Sequence, residues 1–96
     1  MPRFYLHMCN STGFVEDEEG AELADLDVAR AKAIEALRDV SAGEVRQGEI
    51  NMGSFIEIEG EDRRPLAEVT FAEAVRVTSE KGQRRDRCLA SEEGSR

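Results

Sequence analysis

The sequence predicts an α+β fold: a two-layer sandwich with the order ββαββ, in which one long helix covers an antiparallel sheet. Apolar and polar residues alternate along four short segments, as they do in half-buried strands. One longer segment between the second and third of these repeats its apolar residues at a helical period. At 96 residues, the chain suits a single domain with one hydrophobic core.

The first two predicted strands form a hairpin at the start of the chain. Residues 3–9 alternate between two faces, and turn-forming residues at 10–13 lead into a second extended segment at 14–17. The face expected to lie against the helix consists of Phe4, Leu6 and Met8. The opposite face consists of Arg3, Tyr5, His7 and Cys9.

The helix is predicted to begin after Asp25, whose carboxylate can accept a hydrogen bond from a free amide of the first turn. Its expected end is residue 47, with residue 42 as the alternative because Gly43 weakens a helix. We expect Arg30 and Arg38 on the solvated side. The predicted core-facing residues are Leu26, Ala29, Ala33, Leu37 and Val40.

A second hairpin is predicted after the helix, from strands at 54–59 and 66–71 joined by a polar connector. A short helical turn within 71–77 can then close the domain. The sheet face away from the helix is a candidate interface, because Tyr5, Phe55 and Phe71 are expected there.

Two regions of different composition divide the chain. Residues 1–77 carry the apolar patterns and form the predicted domain, whereas residues 78–96 are polar, mixed in charge and expected to be a flexible tail. Lys81 to Arg87 form a basic stretch that Asp86 dilutes, which is typical of a solubilising tail.

The charge and the cysteine count exclude several classes of protein. The net charge is −8, and an acidic body repels phosphate backbones, so nucleic-acid binding is disfavoured. Cys9 and Cys88 are too few for a disulfide scaffold and favour reduced thiols. Because no signal peptide and no membrane span are found in the sequence, we expect a soluble cytoplasmic protein.

No motif in the sequence supports catalysis, a cofactor or a metal. The acidic segment 16–27 carries seven carboxylates, but aligning Gly20 with the glycine of a calcium loop would put Val15 and Leu26 at ligand positions. His7 and Cys9 share a strand face, yet a packed or half-exposed histidine and a free buried thiol explain them without a catalytic dyad. The glycines are too far apart for a nucleotide loop. We expect no enzyme.

Most of the acidic segment has a structural explanation, since Asp25 and Asp27 suit the start of the helix. Asp17, Glu18 and Glu19 carry more charge than a turn requires. These three residues are therefore the candidate partner contact.

Three stretches carry a family resemblance: the opening Met1–His7, the segment Asp17–Leu23 and the helix start Asp25–Ala33. On these residues the chain resembles a family of short uncharacterised proteins that are common in alphaproteobacteria and are catalogued as a domain of unknown function. The resemblance extends over residues 1–75 and implies no activity.

A looser likeness is to the antitoxins of HicB-type toxin-antitoxin pairs, which also combine a hairpin, an acidic turn and an alanine-rich helix. It implies an alternative function, a regulatory domain that binds a toxin or an RNA-related partner. The first hypothesis is a non-enzymatic interaction module that forms a homodimer or binds a protein through its exposed sheet face or edge.

Overall fold

The computed structural model describes residues 1–10 and 13–79 and has the predicted α+β architecture. The elements follow the predicted order, with one extra short strand before the long helix. They are β1 (Arg3–Asn10), β2 (Gly13–Val15), β3 (Ala21–Glu22), α1 (Leu26–Arg46), β4 (Phe55–Glu59), β5 (Pro65–Thr70) and α2 (Phe71–Ala74).

The strands form one antiparallel sheet in the order β2-β1-β4-β5. The two hairpins predicted from the sequence are confirmed, and they join where β1 pairs with β4, Leu6 lying opposite Ile58. β2 and β3 pair with opposite ends of β1, and the acidic residues 16–20 run between them. The strand β3 was not predicted.

Helix α1 begins and ends as its sequence predicts. The Asp25 carboxylate accepts a hydrogen bond from the Val28 amide at 2.9 Å, which confirms Asp25 as the N-cap. Gln47 is the C-cap, and Gly48 follows with a φ of 91°, a value that glycine adopts without strain. Gly43 is therefore accommodated inside the helix.

The core lies between α1 and one face of the sheet. Leu37 is fully buried there, and the face of β1 predicted to meet the helix does so. The buried core cluster consists of Phe4, Leu23, Ala29, Ala33, Leu37, Ile56, Ile58, Val69 and Ala74. Within residues 1–10 and 13–79, no helix covers the opposite face of the sheet.

One expectation was wrong. Phe71 is 2% exposed at the start of α2, so it does not contribute to the uncovered face. Arg38 is exposed and Arg30 is half-buried on α1, and both also contact α2. Arg30 pairs with Glu73, and the Arg38 guanidinium donates to the Ala74 carbonyl at 2.7 Å. Both arginines thus attach α2, the predicted short helical turn, to α1.

The predicted tail starts at the limit of what the structure describes. Thr78 and Ser79 belong to no helix or strand, and residues 80–96 lie outside the described residues. Among the helices of the described chain, none combines the length and the apolar character needed to cross a bilayer.

Candidate functional site: the open face of the sheet

The uncovered side of the sheet, which we call the open face, is arranged in three rows across the strands. The strand register places Cys9 beside both Phe14 and Phe55, so these three residues form an apolar row. In the middle row, His7, Glu57 and Glu68 lie side by side. The third row consists of Tyr5, Glu59 and Pro65.

The apolar row is accessible to a partner. Phe14 is 59% exposed, and both Cys9 and Phe55 are half-buried. Exposed aromatic side chains on a sheet face are typical of binding surfaces, because rings bury large apolar areas at a small entropic cost. This row is the most apolar part of the open face.

His7 is buried even though it points away from the core. It is 3% exposed, and the Phe14 ring lies over it with 5.7 Å between ring centroids. Its Nδ1 accepts a hydrogen bond from the Asp17 amide at 3.0 Å, and its Nε2 lies 2.9 Å from Glu59 Oε1. Because both ring nitrogens have partners, the imidazole acts as a structural link in this conformation.

Arg63, in the turn between β4 and β5, neutralises one end of the open face. Its Nε lies 3.3 Å from Glu59 Oε1, and its Nη2 lies 3.2 Å from Glu16 Oε2. The guanidinium carbon lies 4.1 Å from the centroid of the Tyr5 ring, a cation–π contact. Arg63 thus joins β4, the acidic loop and β1.

Asp17 holds the acidic loop against β1. One carboxylate oxygen accepts from the Leu6 amide and the other from the Gly20 amide, both at 3.0 Å. Leu6 lies between the segments of β1 that pair with β2 and β3, so Asp17 satisfies an amide that neither strand reaches. The loop is therefore part of the sheet edge.

The middle row has an unbalanced charge. Glu57 and Glu68 are directly opposite each other on β4 and β5, and like charges in that position repel. Neither carboxylate has an ion-pair partner among the residues that the structure describes. Glu57 is half-buried and Glu68 is exposed.

The chain matches one model of a known protein family. A family model described as Domain of unknown function (DUF6894) matches residues 3–72, from the first residue of β1 into α2. The chain belongs to this family. The DUF6894 match includes every residue of the three rows, so the open face is part of the family domain. No curated protein and no solved structure matches the chain.

The DUF6894 fold assigns different roles to the three predicted contact residues. Asp17 is half-buried and engaged with β1, whereas Glu18 and Glu19 have exposed side chains in the same loop. The Glu19 carbonyl accepts from Arg3 at 2.8 Å. None of the three belongs to the rows of the open face, so their contact with a partner stays a prediction.

The other chemical candidates gain no geometric support. In residues 1–10 and 13–79, no group of three or more histidine, cysteine, aspartate or glutamate side chains is arranged to hold a metal ion. His7 and Cys9 share the open face, but the two ring nitrogens of His7 bind Glu59 and Asp17 instead. His7 is therefore not available as a base for Cys9 in this conformation.

The sequence reading missed the network that joins His7, Glu59 and Arg63. Strand alternation correctly placed His7 on the open face, but it did not show that Phe14 and the acidic loop would bury it. One local signal for the loop was present. An aspartate followed three residues later by glycine, as in Asp17 to Gly20, is typical of a tight turn.

Proposed function

We propose that this domain is a non-enzymatic protein-binding module whose partner covers the open face of the sheet. The observation that carries the proposal is the exposed apolar row of Phe14, Cys9 and Phe55, which spans three strands and has no covering element in the described chain. Burying that row against a partner would remove aromatic surface from water.

The non-enzymatic part of the proposal rests on His7. The buried imidazole is committed at both ring nitrogens, and Glu59 is shared between His7 and Arg63. An imidazole that acts as a general base needs a free ring nitrogen within reach of a substrate proton. We retain in this proposal the bacterial origin that the family resemblance implies and the cytoplasmic location expected from the sequence.

Site-specific photo-crosslinking in the source cells tests the proposal. A photoreactive phenylalanine analogue at position 14 samples the open face, and the same analogue at Lys32, an exposed position on α1, serves as the matched control. We expect a discrete crosslinked protein from position 14 only. Equal crosslinking from both positions would contradict a specific face.

The captured protein is then purified and titrated into the isotope-labelled domain. Backbone amide resonances of the apolar row should shift, and those around Lys32 should not. Phe14→Ser should weaken binding, whereas Val45→Ser, which alters a residue of matching 58% exposure on α1, should not. A folded Phe14→Ser variant that binds as tightly as the unmodified domain, together with no shifts in the apolar row, would refute the proposal.

A further inference from the structure

Two carboxylates of the open face are not neutralised by any cation in residues 1–10 and 13–79. Glu57 and Glu68 are opposite each other across β4 and β5, and neither has an ion-pair partner among the described residues. Like charges directly opposite each other destabilise a sheet. By contrast, Arg63 binds both Glu59 and Glu16 at the neighbouring end of the face.

The arginines with ion pairs elsewhere in the described part of the chain do not reach this pair. Arg3 binds Glu22, Arg30 binds Glu73, and Arg64 lies beside Asp62. The middle row therefore presents negative charge directly beside the apolar row of Phe14, Cys9 and Phe55.

We infer that the partner of the open face is a protein segment that carries Lys or Arg side chains next to apolar ones. This inference rests on the proposed function and specifies its partner. The apolar side chains would pack on Phe14 and Phe55, and the cations would pair with Glu57 and Glu68. Such pairing relieves the repulsion between the two carboxylates, and it supplies the charge complementarity that guides specific association.

A second copy of the chain fits this face poorly. A two-fold dimer places the same patch of both protomers together. The carboxylates of Glu57 and Glu68 would then approach those of the other copy, inside an interface that excludes water. Charge complementarity thus favours a basic partner over a homodimer.

Synthetic peptides test the inference directly. The first probe is a fluorescein-labelled peptide of alternating lysine and leucine, the second replaces lysine with glutamate, and the third replaces leucine with serine. Fluorescence anisotropy measures their binding to the full chain at low and at physiological salt. We expect only the lysine–leucine peptide to bind well, with an affinity that falls as salt screens the charges.

The decisive variant is Glu57→Gln combined with Glu68→Gln, which removes both charges at nearly constant shape and also removes their mutual repulsion, so the fold should persist. The control combines Glu35→Gln with Asp39→Asn, two exposed acids of α1. Loss of these two ion pairs at the protein surface should weaken lysine–leucine binding by about fivefold. The control should bind as the unmodified chain does.

Several outcomes would overturn the inference: failure of the lysine–leucine peptide to bind, equal weakening in both double variants, or a stable dimer of the unmodified chain in sedimentation equilibrium. Tight binding of the glutamate–leucine peptide would also overturn it, because the apolar row alone would then suffice. These results leave the crosslinking test at position 14 unaffected. Failure of the proposed function, that a partner covers the open face, is therefore distinguishable from failure of the inference that this partner is basic.

Discussion

The Nδ1 atom of His7 lies 3.0 Å from the backbone nitrogen of Asp17, so a buried ring on the central strand β1 accepts a hydrogen bond from the acidic loop. An amide N–H can only donate, and the ring proton must therefore sit on Nε2, where it is shared with Glu59 Oε1 at 2.9 Å. This arrangement connects the loop to β4 through one side chain.

The tautomer of His7 is the first prediction. Long-range proton–nitrogen NMR spectra of the imidazole should show the Nε2–H tautomer, with Nδ1 as the acceptor. His7 is the only histidine in the sequence, so the signals need no assignment by mutagenesis. An Nδ1–H tautomer would contradict the hydrogen bond from Asp17 and with it the link between the loop and β1.

Asp17 should stabilise the fold more than its acidic neighbours do. Asp17→Ala leaves the Leu6 and Gly20 amides without their acceptor, which should lower the free energy of unfolding by about 1–3 kcal/mol. Glu18→Ala, which changes an exposed side chain of the same loop, should alter it by less than about 0.5 kcal/mol. Urea unfolding followed by circular dichroism measures both, and equal effects would refute this role of Asp17.

Two glycines should respond in opposite directions to the same substitution. Gly20 has a φ of 70°, and a Cβ there would lie 2.8 Å from the Phe4 carbonyl oxygen. Gly20→Ala should therefore destabilise the domain by at least about 1–2 kcal/mol. Gly43 lies inside α1 with no atom near the added carbon, so Gly43→Ala should stabilise it by about 0.5–1 kcal/mol. Thermal unfolding measures the melting temperature of each variant. Melting temperatures that shift in the same direction would contradict the different roles given to Gly20 and Gly43.

How much of the fold was predictable depends on whether a signal is local. The helix and both hairpins rest on periodicity and on turn and cap residues such as Asp25, and these were predicted correctly. β3 contains only Ala21 and Glu22, which is too short for any pattern. It forms because the turn at Asp17 brings the chain back to β1.

For the open face, too, only the features with a local sequence signal were predicted. Alternation predicted that Tyr5 and Phe55 lie there, but the contacts that define the site join residues far apart in sequence. His7 meets Glu59 across 52 positions, and Arg63 meets Glu16 across 47. Such pairs follow from the strand order, which one sequence alone does not reveal. The link from His7 to Glu59 and Arg63 was missed for this reason.

Leu37 anchors the helix to the sheet, and its truncation should be costly. The side chain has no exposed surface and lies in the core cluster. Leu37→Ala should lower the free energy of unfolding by about 2–5 kcal/mol, from lost burial and the remaining cavity. Val45→Ala, at a position of α1 that is 58% exposed, is the control and should have little effect. A cost of Leu37→Ala below about 1 kcal/mol would mean that the core is packed differently.

Arg63 combines a strained backbone with favourable side-chain contacts, and the two can be separated. Its φ of 64° is rare for any residue other than glycine, while its guanidinium contacts Tyr5, Glu59 and Glu16. Both Arg63→Ala and Arg63→Gly remove the guanidinium contacts. The alanine variant keeps the backbone strain of the positive φ, whereas the glycine variant relieves that strain. The glycine variant should therefore be more stable than the alanine variant by about 1 kcal/mol.

Chemical unfolding measures the difference in stability between the Arg63→Gly and Arg63→Ala variants. Tyr5 is the only tyrosine in the sequence, and its ring resonances should report the loss of the cation above the ring in both variants. Equal stabilities, with the Tyr5 resonances shifted alike, would show that the turn relaxes once the arginine is removed. Unchanged Tyr5 resonances would contradict the cation–π contact itself. The expected result is a glycine variant that keeps the turn conformation and the sheet register at lower strain. Neither substitution removes the backbone hydrogen bonds that close the turn, from the Arg63 amide to the Gly60 carbonyl at 2.9 Å and from the Gly60 amide to the Arg64 carbonyl at 3.1 Å.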